Sequence, residues 1–358
     1  MQPIRVLIVD DSAVIRRRLS ELLAADSAIT VAGTAGNGVL ALARIADLKP
    51  DLVTLDVEMP GMSGIETLIE IRKLYPKLPV IMFSTLTGPG AATTVEALAR
   101  GASDYAAKPS ADSSEGAAEA IRQDLIPKIK VLCAPPVPPQ APAFLLPAPA
   151  ISPPPWRPAR IDLVAIGTST GGPNALAALM PQLPQDLPVP ILIVQHMPPM
   201  FTHLLAKRLG SLTRLRVEEG KEGEKVEPGQ VWIAPGDYHM TVSRRGSDLV
   251  LGLNQDAPEN SCRPAVDVLF RSVARTHGAS VLAVVLTGMG CDGTRGAATI
   301  REAGGTVIVQ DQPSSVVWGM PGSIVSAGLA ERSYPLDEIG LTIARRVALR
   351  RGAVASHS

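Results

Sequence analysis

A serine in a glycine-rich turn is the clearest candidate for chemistry in this sequence. Ser169 lies in the segment GTSTGG (residues 167–172), directly after an apolar run and directly before a helix start marked by Pro173. A serine at such a strand-to-helix turn exposes its hydroxyl among backbone N–H groups that can hold an oxyanion. Glycine-rich turns also cradle phosphate groups, so the pattern alone leaves a nucleophile and a phosphate site open.

A serine nucleophile needs a base and a group that orients the base. His196 is the one histidine that follows an apolar strand, in the segment IVQHMP, and it is predicted as the general acid/base. Asp292, in LTGMGCDG, also follows a strand and is predicted as the orienting carboxylate. The remaining histidines are assigned structural or solvated roles, because they fall in helical patterns, at a strand start or in the tail: His203, His277, His239 and His357.

The oxyanion donors are predicted to be the backbone N–H groups of Thr170 and Met289. Cys291 is a rival nucleophile beside Asp292. A cysteine needs its own activating cation, however, and the glycine-rich turn already explains a small residue there. The order Ser, His, Asp along the chain also differs from the Ser, Asp, His order of the α/β-hydrolases, which argues against that fold.

A second group of candidate residues follows apolar strands in the first third of the chain: Asp10, Asp11, Asp56, Ser84 and Lys108. Three carboxylates at one rim repel each other, so the site favours a hard divalent cation such as Mg²⁺. Asp56 is placed to accept a phosphoryl group, with Lys108 as counter-charge and the Ser84 hydroxyl bound to a phosphoryl oxygen. One carboxylate alone is better interpreted as a solvated loop end. Five such residues, each just after a predicted strand, favour a phosphoryl and Mg²⁺ site instead.

Alternating apolar runs and helical patterns predict how these residues are positioned. In the first part of the chain the predicted strands are residues 4–9, 29–33, 52–55, 80–83 and 104–107. Between them, two helical faces are predicted from Ile15, Leu19, Leu22 and Leu23, and from Leu68, Ile71 and Leu74. Repeated β-α units indicate a doubly wound, flavodoxin-like parallel sheet, with functional groups at the carboxyl ends of the strands.

The second part of the chain shows further β-α alternation and lacks a compact basic helix-turn-helix pattern. Strands are predicted at residues 161–166, 189–194, 281–286 and 306–309, which indicates a Rossmann-like α/β domain. Residues 231–233, 239–242 and 249–253, with a turn at Arg245-Gly246, predict a β-hairpin insertion.

A proline-rich stretch separates the two parts, and the predicted domains are residues 1–125 and 160–350, joined by a linker at 126–159. The formal net charge is zero, without the basic footprint of a nucleic-acid binder. Cys133, Cys262 and Cys291 are too widely spaced for a disulfide framework or a zinc site, which favours free thiols. With no apolar run long enough for a signal peptide or a membrane span, we expect a cytoplasmic protein.

The first part resembles the receiver domain of bacterial response regulators through VDDSAVIRRRL, DLVTLDVEMPGMSGIE, PVIMFSTLT and GASDYAAKP. The resemblance implies an aspartyl-phosphate at Asp56, donated by a histidine kinase. Ser84 and the aromatic Tyr105 would then switch the downstream domain. The resemblance also implies that the carbonyl of Glu58 completes the Mg²⁺ shell of Asp10, Asp11 and Asp56.

The second part resembles the catalytic domain of the chemotaxis protein-glutamate methylesterase family, called CheB. The matching segments are IGTSTGGP, QHMPPMFTHLLAKRL, VWIAPGDYHM, CRPAVDVLF, LTGMGCDGTRGA and QDQPSSVVWGMP. One departure is Ala265, where family members often have serine, which puts substrate contacts there in doubt. The resemblance implies Ser169 as nucleophile, His196 as acid/base and Asp292 as its orienter.

The two resemblances together imply hydrolysis of glutamate methyl esters, and deamidation of glutamines, on the cytoplasmic helices of chemoreceptors. In the family the receiver covers the active site until it is phosphorylated. Ester hydrolysis itself needs no cofactor. The chemoreceptors would be the substrate, and the protein would associate with receptor arrays only peripherally. Two alternatives stay open from the sequence: the same esterase in a chemosensory pathway unrelated to motility, and a signalling scaffold with an idle triad.

Overall fold

The computed structural model of this 358-residue chain describes residues 2–84, 88–108, 118–119, 121–134 and 160–348. Two α/β units are present, and we call them the N-terminal unit (through residue 134) and the C-terminal unit (from residue 160). Most of the predicted proline-rich linker, and His357, lie outside the described residues. Within the described ranges, no helix is both long enough and apolar enough to cross a membrane.

The N-terminal unit has a sheet of five parallel strands in the order β2-β1-β3-β4-β5. This is the flavodoxin-like order, as predicted. The strands are β1 (Ile4–Val9), β2 (Ile29–Ala35), β3 (Leu52–Asp56), β4 (Val80–Ser84) and β5 (Asp104–Ala107). The helices are α1 (Ala13–Ala24), α2 (Gly38–Leu48), α3 (Gly64–Leu74), α4 (Gly88–Ala99) and α5 (Ile126–Leu132).

Side-chain caps fix where the first helices begin. Ser12 accepts a hydrogen bond from the Ile15 backbone at the start of α1, and Ser63 forms a reciprocal capping box with Glu66 at the start of α3. Leu19 and Leu23 of α1 are buried, as their spacing predicts. The predicted inward position of Leu74 is wrong: its side chain is 61% exposed, because it is the last residue of α3.

Helix α5 follows a single π-helical turn at Ile121–Leu125 and packs into the N-terminal core. Ile126 and Ile129 belong to the same buried cluster as Val6 and Ile8 of β1. A domain end at residue 125, as predicted, would separate α5 from the N-terminal core into which it packs. We propose a boundary after Leu132 instead.

The C-terminal unit has a seven-stranded parallel sheet in the order β14-β13-β12-β6-β7-β9-β8. Its strands are β6 (Leu163–Thr168), β7 (Ile191–Gln195), β8 (Arg216–Glu219), β9 (Gln230–Ile233), β12 (Val281–Val285), β13 (Thr306–Gln310) and β14 (Arg332–Tyr334). Its helices are α6 (Gly172–Leu179), α7 (Phe201–Gly210), α8 (Val266–His277), α9 (Thr294–Glu302), α10 (Met320–Ser326) and α11 (Leu336–Ala348).

The predicted hairpin insertion is correct for two of its three segments. Strands β10 (His239–Arg245) and β11 (Asp248–Asn254) pair antiparallel as a separate two-stranded sheet. The third segment, residues 231–233, was wrongly assigned to the insertion. It forms β9 of the main sheet, between β7 and β8, where its buried side chains pack like those of any central strand.

Candidate active site

Ser169 occupies the turn between β6 and α6. Its backbone N–H donates to the carbonyl of Thr287 (3.1 Å), and its carbonyl accepts from Nε2 of Gln195 (3.0 Å). Gly171 ends the turn with a φ of 78°, which glycine adopts without strain. The backbone of Ser169 is therefore hydrogen-bonded to residues at the ends of both neighbouring strands.

His196 directly follows β7, the strand beside β6. Its backbone N–H donates to the Thr168 carbonyl (3.2 Å), and its side chain is 13% exposed. Nε2 lies 2.8 Å from Oδ2 of Asp292. A carboxylate can only accept, so Nε2 carries the proton and Nδ1 is the nitrogen left to act as a base.

Asp292 follows β12, the strand on the other side of β6. Its carboxylate is 2% exposed and accepts from three backbone N–H groups, those of Val266 (2.6 Å), Asp267 (3.0 Å) and Gly293 (2.9 Å). Burial opposes the charged carboxylate, but the hydrogen bond from His196 and these backbone donors outweigh it and lower the pKa of Asp292. The group is thus ionised and fixed in place.

Among the described residues, the His196 imidazole has two side-chain hydrogen-bond partners, Asp292 and Cys262. Sγ of Cys262 lies 3.5 Å from Nδ1. Burial disfavours the imidazolium, yet the hydrogen bonds with Asp292 and Cys262 prevail and raise the pKa of His196. In the described part of the chain the Ser169 hydroxyl makes no hydrogen bond to the imidazole, a common condition of a catalytic site without substrate.

Ser169 and His196 line one cavity of about 590 Å³. Thr170 and Met289 also line it, and among the described residues their backbone N–H groups have no hydrogen-bond acceptor. That these two N–H groups hold an oxyanion in the cavity stays a prediction.

Two residues that contact the imidazole–carboxylate pair were missed by the sequence reasoning. Asn260 donates to Asp292 (Nδ2 to Oδ1, 2.9 Å), and Cys262 contacts His196. Cys291, the thiol weighed from the sequence, is exposed and is not among the residues lining the cavity. Ala265 is fully buried at the start of α8, where its backbone N–H donates to Nδ1 of His239. Ala265 is not among the residues that line the cavity.

The candidate phosphorylation site lies at the carboxyl end of the N-terminal sheet. Nζ of Lys108 is 2.8 Å from Oδ2 of Asp10 and 2.7 Å from Oδ2 of Asp56. Burial raises the pKa of Asp56 to about 6, against the opposing effect of Lys108. One oxygen each of Asp10, Asp11 and Asp56 lies within 4.8 Å of the others. Hard oxygen ligands at this spacing fit Mg²⁺.

Ser84, a predicted switch residue, and Glu58, a predicted metal ligand, belong to the strand end and loop beside Asp56. Ser84 ends β4 beside β3, is 2% exposed, and its hydroxyl donates to the Gly90 carbonyl (3.3 Å). The Glu58 backbone N–H donates to Oδ1 of Asp56 (3.2 Å). That the Glu58 carbonyl completes a metal shell stays a prediction.

Tyr105 joins the two units. Its ring stacks on that of Phe201 in α7, with centroids 4.8 Å apart and planes at 12°. Nζ of Lys128 in α5 donates to the Tyr105 carbonyl (2.7 Å), and Nδ2 of Asn174 in α6 donates to the Ala102 carbonyl (3.2 Å). Residues of the N-terminal unit also line the cavity that holds Ser169: Tyr105, Ala107, Gln123, Asp124 and Lys128. One wall of the candidate active site thus belongs to the N-terminal unit.

The fold and the two sites define a class: a two-component receiver joined to an α/β output domain with a serine and a histidine–carboxylate pair at its strand ends. Family models agree on both parts. The model described as response regulator receiver domain matches residues 6–117, and the model described as CheB methylesterase matches residues 164–343. The chain belongs to the CheB methylesterase family.

Relatives that match over nearly the full chain carry the name protein-glutamate methylesterase/protein-glutamine glutaminase. One from Trichodesmium erythraeum is 49% identical and covers 97% of this chain and 100% of its own length. One from Nocardioides is 51% identical, with 98% and 97% covered. The crystal structure of the Thermotoga maritima CheB methylesterase catalytic domain is 42% identical, with a TM-score of 0.51, and covers 52% of this chain and 99% of its own. The predicted α/β fold, receiver and esterase family are confirmed.

Proposed function

We propose that this protein hydrolyses glutamate methyl esters on the cytoplasmic helices of chemoreceptors, and deamidates glutamines there, under the control of its receiver. One observation carries the assignment of the site: His196, which is hydrogen-bonded to Asp292, lines the same cavity as Ser169, and the three residues follow three adjoining strands. The names of the full-length relatives support the substrate class.

Ester cleavage begins when Ser169 attacks the ester carbonyl. Nδ1 of His196 takes the hydroxyl proton, since Nε2 is held by Asp292. Asp292 keeps the imidazole in that tautomer and stabilises the imidazolium that forms. The backbone N–H groups of Thr170 and Met289 hold the oxyanion of the tetrahedral intermediate.

Collapse of that intermediate expels methanol, which receives its proton from His196 and leaves an acyl-enzyme on Ser169. Water, deprotonated by His196, then attacks the acyl-enzyme and releases a free glutamate. A glutamine substrate follows the same path, with ammonia as the leaving group in place of methanol. Demethylation and deamidation therefore need only one set of residues.

Control comes from the receiver, with Asp56 as phosphoacceptor and a histidine kinase as donor. Asp10, Asp11 and Asp56 would hold Mg²⁺, which supplies charge neutralisation for the incoming phosphoryl group. Lys108 pairs with Asp56 and with Asp10, so phosphorylation would change its contacts at the end of β5. Strand β5 also carries Tyr105, which stacks on the C-terminal unit, and this gives a direct route from the phosphate to the cavity wall.

Methanol release from methylated chemoreceptor membranes tests this function. We expect release by the full chain, stimulation by acetyl phosphate with Mg²⁺, and loss of release in Ser169→Ala. The expected loss is about 10⁶-fold in kcat, as for removal of other triad serines. Residual serine-independent release, or none from the native chain under any condition, would contradict the proposal and favour another substrate or a scaffold role.

A further inference from the structure

A tight turn beside the active site contacts both members of the imidazole–carboxylate pair. Residues Glu259–Cys262 close it with two backbone hydrogen bonds, from Cys262 to Glu259 (2.8 Å) and from Glu259 to Cys262 (3.1 Å). The two central residues, Asn260 and Ser261, have φ values of 51° and 61°. Both are left-handed, as in a type I′ turn, a conformation that asparagine tolerates better than most residues. Glu259 is also paired with Arg271 of α8.

The side-chain amide of Asn260 lies between two buried carboxylates. Nδ2 donates to Oδ1 of Asp292 (2.9 Å) and to Oδ2 of Asp267 (3.0 Å). An amide nitrogen has two hydrogens, so each carboxylate receives one. The other oxygen of Asp267, Oδ1, accepts from the backbone N–H of Gly296 (2.7 Å). Oδ2 is the oxygen that accepts from Asn260.

Two carboxylates so close together repel each other. Asp267 and Asp292 are 1% and 2% exposed, so water screens them poorly. Burial raises the pKa of Asp267, and the charge of Asp292 raises it further, while Gly296 and Asn260 oppose the rise. Without a donor between them, the two carboxylates would share a proton or turn apart.

We propose that Asn260 is a positioning residue for ester hydrolysis, which keeps Asp292 ionised and turned toward His196 by bridging it to Asp267. The inference rests on the proposed function of Ser169, His196 and Asp292. It adds Asn260 and Asp267 to that site. Asn260 acts through Asp292, whose Oδ2 holds the imidazole while Oδ1 receives the amide.

The test uses the full chain with acetyl phosphate, Mg²⁺ and methylated receptor membranes. Asn260→Ala is expected to lower kcat by about 10- to 100-fold, the range for loss of a hydrogen bond to a buried charge. The acid side of its pH–rate profile should become steeper. The pair of Asp267 and Asp292 would bind an additional proton, which must dissociate before the enzyme is active. A purely structural role would lower the whole profile without changing its shape. Asn254→Ala, which alters a side chain bonded only to the Asp256 backbone among the described residues, is the matched control.

A second variant separates positioning from folding. Asp267→Asn alone should also lower kcat. Its new side-chain amide would present N–H groups to the N–H groups of Asn260, and two donors cannot form a hydrogen bond with each other. In Asn260→Ala/Asp267→Asn that conflict and the charge repulsion are both absent. We therefore expect the kcat of the double variant to be at least tenfold higher than that of Asn260→Ala. The acid side of its pH–rate profile should have the same slope as that of the native chain.

The outcomes distinguish this inference from the function on which it rests. Unchanged kcat in folded Asn260→Ala, or a double variant no better than the single, would overturn the role of Asn260 while Ser169→Ala remained inactive. Methanol release by Ser169→Ala would instead overturn the proposed function. If Asn260→Ala melts below the assay temperature, the double variant is compared with Asp267→Asn instead, and a double variant no more active than Asp267→Asn would overturn the role of Asn260.

Discussion

Sγ of Cys262 lies 3.5 Å from Nδ1 of His196, the ring nitrogen that faces away from Asp292. In the proposed mechanism that nitrogen accepts the proton of Ser169. The thiol therefore contacts the ring nitrogen that is left to act as a base. Cys262 ends a turn that two backbone hydrogen bonds with Glu259 close.

Removal of this thiol should not cost activity. In Cys262→Ala we expect kcat equal to or up to about threefold above that of the native chain, because a weak S–H hydrogen bond no longer competes for Nδ1. Alkylation with iodoacetamide should by contrast inactivate the native chain, since an added group would fill the cavity at the base. Cys262→Ala should resist the reagent, and Cys291→Ala, which removes the exposed thiol, should remain sensitive. Equal sensitivity of all three proteins would refute the placement of Cys262.

The pH dependence of kcat/KM should report His196. Its hydrogen bonds with Asp292 and Cys262 overcome the effect of burial and raise its pKa, and only the neutral imidazole is a base. Activity should therefore be lost as the pH falls through a midpoint above the ordinary histidine value of about 6.5. Asp292→Asn removes the main partner, so the midpoint should move down and kcat should fall by about 10⁴-fold. Asp248→Asn, in an exposed ion pair on the hairpin, should leave the midpoint in place.

The strand ends could be read from the sequence because each apolar run stops at a polar residue. Parallel strands then bring Ser169, His196 and Asp292 to one edge, even though they are far apart in the chain. Asn260 and Cys262 could not be found in this way. They belong to a turn outside the sheet, and their partners lie 32 and 66 residues away, so no periodic pattern connects them.

The errors in the predicted secondary structure have a similar physical origin. Strand β8 reads RVEE, and its polar side chains at the edge of the sheet give no apolar run to detect. Strand β9 has an apolar run of only three residues, which suits a hairpin equally well until its neighbours are known. Helix α5 carries Pro127 near its start, which resembles the beginning of the proline-rich linker. In each case burial against distant residues, and not local pattern, decides the structure.

Phosphorylation should require ionised Asp56. Burial raises its pKa to about 6, so incorporation of label from a radioactive phosphodonor should fall about tenfold per unit as the pH drops well below that value. Saturating Mg²⁺ should shift this midpoint downward, because a cation favours the ionised form. Asp56→Asn should incorporate no label and show no stimulation of methanol release. Asp51→Asn, an exposed carboxylate bonded to the Arg5 backbone, is the control and should behave like the native chain.

The stack of Tyr105 on Phe201 should hold the receiver over the cavity. Aromatic pairs contribute about 0.5–1.5 kcal/mol beyond the area that they bury, so Tyr105→Ala should raise unphosphorylated activity by about two- to tenfold. Tyr105→Phe keeps the ring and should show the same basal activity as the native chain. The measurement is methanol release without phosphodonor. A Tyr105→Ala variant with native basal activity would show that this contact does not limit access to Ser169.

The turn that carries Ser169 leaves no room for a side chain at Gly288. A Cβ there would lie 2.4 Å from Sδ of Met320 and 3.0 Å from both Cβ and the backbone nitrogen of Ser169. The methionine can move, because its side chain is flexible, but the backbone of Ser169 is held on both sides by hydrogen bonds. Gly288→Ala should therefore displace the nucleophile by a fraction of an ångström and lower kcat by up to about 10²-fold, with little change in KM.

Thermal unfolding separates this effect from a loss of stability. Gly288→Ala should lower Tm by only a few degrees, because the strain is local and one neighbour can adjust. Gly210→Ala is the control, since its Cβ would meet Val217 at an ordinary distance of 3.7 Å, far from the cavity. Native kcat in Gly288→Ala would mean that the turn tolerates displacement, and that the close contact between Gly288 and Ser169 is not what sets the position of the hydroxyl. A drop in kcat confined to Gly288→Ala would instead show that catalysis depends on how tightly β6 and the loop after β12 are packed together.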